Sequence, residues 1–98
     1  DNANESVFAF MRQRLAGEGG TQLLIVFNAT PVPRDNYTFG APAGGHYRKL
    51  LDSDDAAFGG SGYAPQTKLR PNDEPWRNFP ARISLNLPPL AVVIWARD

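Results

Sequence analysis

The sequence predicts an all-β fold, an antiparallel, Greek-key-like β-sandwich of about seven or eight short strands. Three observations carry this. Nine glycines and nine prolines cut the 98 residues into short apolar stretches. Residues 82–87 (RISLNL) alternate apolar with polar, the period of a half-buried strand. Residues 21–28 (TQLLIVFN) and 90–97 (LAVVIWAR) are apolar on both faces, as in strands covered on both sides.

Taken in order, residues 6–13 (SVFAFMRQ) form the first candidate strand, with Phe8 and Phe10 on one face and Val7, Ala9 and Met11 on the other. Val7, Met11 and Leu15 also follow helical spacing, so a helix is the rival reading. The strand is preferred because Gly17-Glu18-Gly19-Gly20 then makes a hairpin turn into residues 21–28. That second strand, β-branched at Ile25 and Val26, reads as central. Pro31 and Pro33 stop the pairing, since proline has no N–H to give a ladder. Residues 37–40 and 46–51 are two further short strands around the turn Ala41-Pro42-Ala43-Gly44-Gly45. Residues 52–74 are rich in Gly, Pro, Asp and Ser and read as long loops with room for one short strand. In residues 82–87, Ile83, Leu85 and Leu87 face in while Ser84 and Asn86 face out. Pro88-Pro89 forms a corner before the closing strand.

Size and composition bound the function. A chain of 98 residues makes one domain with one core. With 42% hydrophobic and 20% charged residues it is expected to fold rather than stay disordered. Ten basic and ten acidic residues cancel, so no basic excess draws nucleic acid or an anionic membrane. The absence of cysteine excludes disulfides, thiol nucleophiles and Cys-based metal sites, and fits a cytoplasmic location. No apolar run approaches the roughly 18–20 residues of a membrane span, and no signal peptide is visible. The chain opens on Asp1 rather than Met, which reads as a domain excised from a larger multidomain protein.

The chemistry-bearing residues have bland readings. His46 is the sole histidine, with no G-x-S-x-G elbow and no further ligand for zinc, and reads as a strand-start residue. Gly17–Gly20, Gly44-Gly45 and Gly59-Gly60-Ser61-Gly62 lack the phosphate-loop pattern and read as turns. Asp52, Asp54 and Asp55 could suggest paired carboxylates or a calcium loop, but read as a solvated turn. The triplets at Asn4, Asn28 and Asn36 match the N-glycosylation pattern, which is common by chance. Neither a cofactor nor a metal is expected. Among the aromatics, Trp76 sits in a polar, proline-flanked stretch (NDEPWR), where it either stacks on a sugar or another domain or folds over its own core. Tyr47 and Tyr63 are the weaker candidates for glycan stacking. Phe8, Phe10, Phe27 and Trp95 are expected in the core.

Four ordered stretches resemble the C-terminal all-β domain of bacterial 1,4-α-glucan (glycogen) branching enzymes, members of the α-amylase superfamily. They are residues 4–12 (NESVFAFMR); residues 26–34 (VFNATPVPR) running to Tyr37-Thr38-Phe39-Gly40; residues 46–54 (HYRKLLDSD) followed by Phe58-Gly59-Gly60-Ser61-Gly62; and residues 83–90 (ISLNLPPL). The combination is specific where no single piece is. Ala29 departs from the larger apolar residue usual in the family, and residues 63–77 match poorly. The resemblance implies a parent enzyme that cuts an α-1,4-glucan, holds it covalently and transfers it to a 6-hydroxyl. Its carboxylates would lie in a (β/α)₈ barrel of about 250 residues, too long for this chain. No catalytic residue of the family maps here, so the fragment alone is expected to be inactive.

The barrel of the same parent chain is then the expected partner, with this domain as its stabilising scaffold. The candidate interface is the proline-stiffened loop of Asn28, Thr30, Pro31, Pro33 and Arg34. The alternatives are an accessory domain binding α-glucan (glycogen) through Trp76, Tyr47 and Tyr63, the C-terminal domain of another α-amylase-superfamily enzyme, and a free-standing protein-interaction sandwich.

Overall fold

The computed structural model describes residues 7–13 and 22–98. Seven strands form two antiparallel sheets: β1 (Val7–Gln13), β2 (Gln22–Asn28), β3 (Arg34–Ala41), β4 (Tyr47–Asp52), β5 (Lys68–Leu69), β6 (Ala81–Leu87) and β7 (Ala91–Arg97). The larger sheet has the order β1-β2-β7-β4-β5, and β3 pairs with β6 in the smaller one. The chain changes sheet four times, after β2, β3, β5 and β6. The β-sandwich expected from the sequence is therefore present. The first segment is a strand, not a helix, and its register against β2 runs from Val7↔Asn28 to Gln13↔Gln22. The glycine turn proposed to join them lies outside the described residues.

Period-two patterning explains which face each strand buries. Ile83, Leu85 and Leu87 point inward from β6 and meet Leu24, Val26, Val93, Trp95 and Tyr47 from the larger sheet. Ser84 and Asn86 face out, and Ser84 Oγ lies 2.7 Å from Thr38 Oγ1 across the β3–β6 ladder. Trp95 and Tyr47 are the largest fully buried side chains. Each buries roughly 150–250 Å², the largest single contributions to the core.

Two irregularities re-aim side chains. A shift between Lys49 and Leu51 sets Leu51 opposite Ile94 and Asp52 opposite Val93, leaving Leu50 as the extra, exposed residue. This turns Asp52 inward. Its carboxylate meets the Lys49 ammonium at 3.0 Å, both nearly buried, and accepts the Asp54 N–H at 2.9 Å. Lys49 Nζ also donates to the Ala64 carbonyl at 2.7 Å and lies 5.4 Å from the Trp95 ring centroid. The second shift lies between Arg34 and Tyr37, where Asn36 takes φ +54° and donates its N–H to Asn86 Oδ1.

Residues 52–74 hold the expected long loops and one short strand, β5, with a 3₁₀ turn at Ala56–Phe58. The expectation of a wholly solvated acidic turn at 52–55 is corrected. Asp52 is buried with Lys49, and Asp55 caps the 3₁₀ turn by accepting from the Ala57 N–H. Removing one partner of a buried ion pair strands the other charge. Asp52→Ala should therefore lower unfolding free energy by about 3–5 kcal/mol in urea denaturation, while Lys49→Met with Asp52→Leu should recover most of that loss. Equal destabilisation by the single and double changes would count against the pair as the cause.

Candidate functional site

The strands that build the core also present a second apolar surface. In β1, β2 and β7 the residues between the core positions are apolar too, and they point away from the smaller sheet. The registers align them in rows across the larger sheet. One row is Phe8, Phe27 and Val92; the next is Phe10, Ile25, Ile94 and Leu51. Phe8 and Phe27 stack with centroids 6.2 Å apart at 20°. Phe8 is 49% exposed, Phe10 42% and Phe27 41%. Exposed apolar areas of this kind are a feature of interaction surfaces and ligand grooves. The third row, Arg12, Leu23, Ala96, Arg48 and Lys68, brings charge to both of its ends. The Arg12 guanidinium lies over the Phe10 ring, 5.3 Å from its centroid.

Two expectations are corrected by this face. Phe8, Phe10 and Phe27 are not core residues. Strands β2 and β7 are central in the sheet but covered on one side only within the described residues. Of the four aromatics expected inside, Trp95 alone is buried, at 1% exposure.

The loop of residues 28–34 is organised by Asn28, itself only 1% exposed. Its amide donates to the carbonyls of Val32 at 3.0 Å and Pro88 at 2.9 Å. Its Oδ1 accepts from the Thr30 N–H at 3.0 Å and the Thr30 hydroxyl at 2.6 Å. The Thr30 carbonyl in turn accepts from the N–H of Leu90, which holds φ +47° in the β6–β7 turn. Asn28 thus ties two loops together, and its side chain has no free edge for a partner. Pro31 and Val32 are exposed, whereas Pro33 and Arg34 are half-buried.

Trp76, Tyr47 and Tyr63 do not share a stacking surface. Tyr47 is 1% exposed between the sheets, so a glycan-stacking role for it is corrected. Burial pushes its hydroxyl pKa up, opposed by Arg97 above its ring. Trp76 is half-buried in a tight turn closed by reciprocal bonds with Phe79, and Arg82 and Arg77 lie 5.0 and 5.8 Å from its centroid. Tyr63 is exposed and donates its hydroxyl to Asp35, which raises the Tyr63 pKa.

The loop between β4 and β5 closes on Asp54. Its carboxylate accepts from the Ser61 N–H at 3.1 Å, the Ser61 hydroxyl at 2.6 Å and the Tyr63 N–H at 3.1 Å. Gly60 admits no Cβ, because one would sit 2.3 Å from the Asp54 carbonyl. Positive φ at Gly44, Gly45, Gly59 and Gly62 places these glycines in turns. His46 is exposed just before β4. Among the described residues no three His, Asp or Glu side chains converge as metal ligands.

The geometry defines an all-β domain whose larger sheet turns one face to its own core and an apolar face outward. The chain belongs to the α-amylase C-terminal all-β domain family, whose model matches residues 1–98. It is similar to the 1,4-alpha-glucan branching enzyme GlgB of Pseudomonas syringae pv. tomato, 42% identical over 97% of this chain and 12% of that protein. It is also similar to the GlgB proteins of Albidiferax ferrireducens, 41% identical over 97% of this chain and 15% of that protein, and Halothermothrix orenii, 37% over 96% and 15%. The chain thus spans 12–15% of the length of these relatives.

Two outcomes follow for the loop hubs. Asn28→Ala should cost about 2–3 kcal/mol by chemical denaturation, since it leaves the Pro88 carbonyl buried and unpaired. A loss below about 0.5 kcal/mol would show that the two loops hold without it. The hydrogen bonds from Ser61, then that from Tyr63, lower the Asp54 pKa. A carboxylate depressed in the folded state stabilises above its unfolded value near 4 and loses that contribution as pH falls through the folded value. The amides of Ser61 and Tyr63 should therefore titrate together by NMR with a midpoint below about 4. A midpoint at or above that value would contradict the carboxylate's role.

Proposed function

We propose that this chain is the C-terminal domain of a cytoplasmic 1,4-α-glucan branching enzyme, in which it performs no chemistry and stabilises the catalytic (β/α)₈ barrel of the same parent chain. The parent would transfer α-1,4-glucan segments to 6-hydroxyls, forming α-1,6 branches in glycogen synthesis. Family membership and the GlgB relatives support the parentage. The observation that carries the scaffold role is the outer face of the larger sheet, with two rows of Phe, Ile, Val and Leu side chains open to water. Covering this face against the barrel removes apolar surface from water at roughly 25 cal/mol per Å². The exposed Pro31 and Val32 lie in the loop first assigned to the interface and would contact the barrel at the margin of the face. A glucan-binding role finds less support, since Tyr47 is buried, the Trp76 ring carries two guanidinium groups and the Tyr63 hydroxyl is engaged.

In the full-length parent, Phe10→Glu with Phe27→Glu should lower the melting temperature by several degrees and shorten the half-life of branching activity on heating. In the isolated chain the same pair should lower stability by clearly less than in the parent, because both side chains are already about two-fifths exposed there. Replacing Pro31 and Arg34 instead distinguishes the loop from the face. If the loop variant lowers parental stability and the face variant leaves it alone, the face is not the docking surface.

A further inference from the structure

A cleft of about 620 Å³ lies at the free edge of the larger sheet, lined by His46, Tyr47, Arg48, Lys68, Leu69, Arg70 and Asp98. Its volume falls within the range of small-molecule sites, roughly 300–1,000 Å³. The strand period creates its chemistry. Tyr47 and Leu69 are paired across β4 and β5 and both turn into the core. Arg48 and Lys68 therefore emerge on the opposite face, while His46 and Arg70 flank the two strands and line the same cleft. Arg48 is directly opposite Lys68. Like charges in that position destabilise a strand pair unless an anion lies between them.

The single side-chain carboxylate of the cleft, that of Asp98, meets Arg48 at 3.4 Å, with both groups exposed. Among the described residues, the side chains of His46, Lys68 and Arg70 make no ion pair and no hydrogen bond. Among the side chains, three permanent cations with one carboxylate leave an excess of positive charge in a concave site on a chain whose formal net charge is zero. Concavity focuses that field, and guanidinium groups match the geometry of phosphate oxygens.

We propose that this cleft binds the phosphate group of a small anionic metabolite of the sugar-monophosphate class. Arg48 and Arg70 supply the planar donors, Lys68 a point charge and His46 a ring donor at the rim. Basic residues on an edge strand also discourage edge-to-edge pairing, which would account for Lys68 by itself. It does not account for four basic side chains gathered around one concavity.

The test is amide NMR of the 98-residue chain titrated with inorganic phosphate and with a hexose monophosphate, at ionic strength held constant with chloride. Saturable shifts confined to residues 46–48, 68–70 and 98, weakened at least about tenfold by Lys68→Gln with Arg70→Gln, are expected. A dispersed variant spectrum verifies folding; if the pair unfolds the chain, Arg48→Gln carries the same measurement. Arg77→Gln, away from the cleft, should change nothing. Shifts that follow ionic strength whatever the anion would overturn the proposal and leave edge protection as the role of these cations. Equal shifts with neutral hexose would overturn it as well, because phosphate would then not be the group recognised.

Discussion

Strand β7 is the constraint on which the larger sheet depends. Ala91–Arg97 lies between β2 and β4 and, among the described residues, supplies the only pairing that joins the β1–β2 half to the β4–β5 half. Residues from the start and end of the described chain must therefore meet before either half has a continuous face. Such non-local closure carries a loop-entropy cost that is recovered only when both faces fill. The loops around β7 reflect this. Ser53 Oγ accepts from the Val92 N–H, and the Thr30 carbonyl accepts from the Leu90 N–H, so both flanking connections are fastened near the beginning of the inserted strand.

The same strand explains why the sheet has two characters. Val93 and Trp95 point into the sandwich, and Val92 and Ile94 point out of it. A strand with apolar residues on both faces is commonly read as covered on both sides. Here the second cover is not supplied by the described residues, and the two Phe-bearing strands beside β7 widen the open area. An all-apolar strand thus records that both faces are apolar, not that both are covered within the domain.

Much of the fold was legible in the sequence for this reason. The alternation of residues 82–87, the paired Gly and Pro breaks and the two all-apolar stretches gave every strand of four residues or more, because period and turn chemistry are local signals. The site was less legible. Phe8 and Phe10 share a face, as their spacing predicts, but the pattern places that face inside, since nothing local separates a core face from an exposed apolar one. Tyr47 looked available beside His46 and the glycine turn, yet its register opposite Leu69 sends it inward. The Lys49–Asp52 pair depends on a one-residue bulge that no propensity announces. Asn28 and Asp54 resemble a glycosylation triplet and an acidic cluster, and become loop hubs only through partners up to 60 residues away.

Polarity across the outer face limits what can cover it. The row from Phe8 to Val92 and the row from Phe10 to Leu51 are apolar throughout, but the row starting at Arg12 ends in Arg48 and Lys68. Burying those cations without partners would cost several kcal/mol each, more than Leu23 and Ala96 between them could return. An apolar partner body therefore gains most by stopping at the Phe10 row, where the exposed Arg12 guanidinium already lies over the ring. The basic cleft at β4–β5 lies beyond that boundary. Docking through the apolar rows consequently leaves the cleft open, so one sheet face can support a permanent contact and still present a charged, accessible edge.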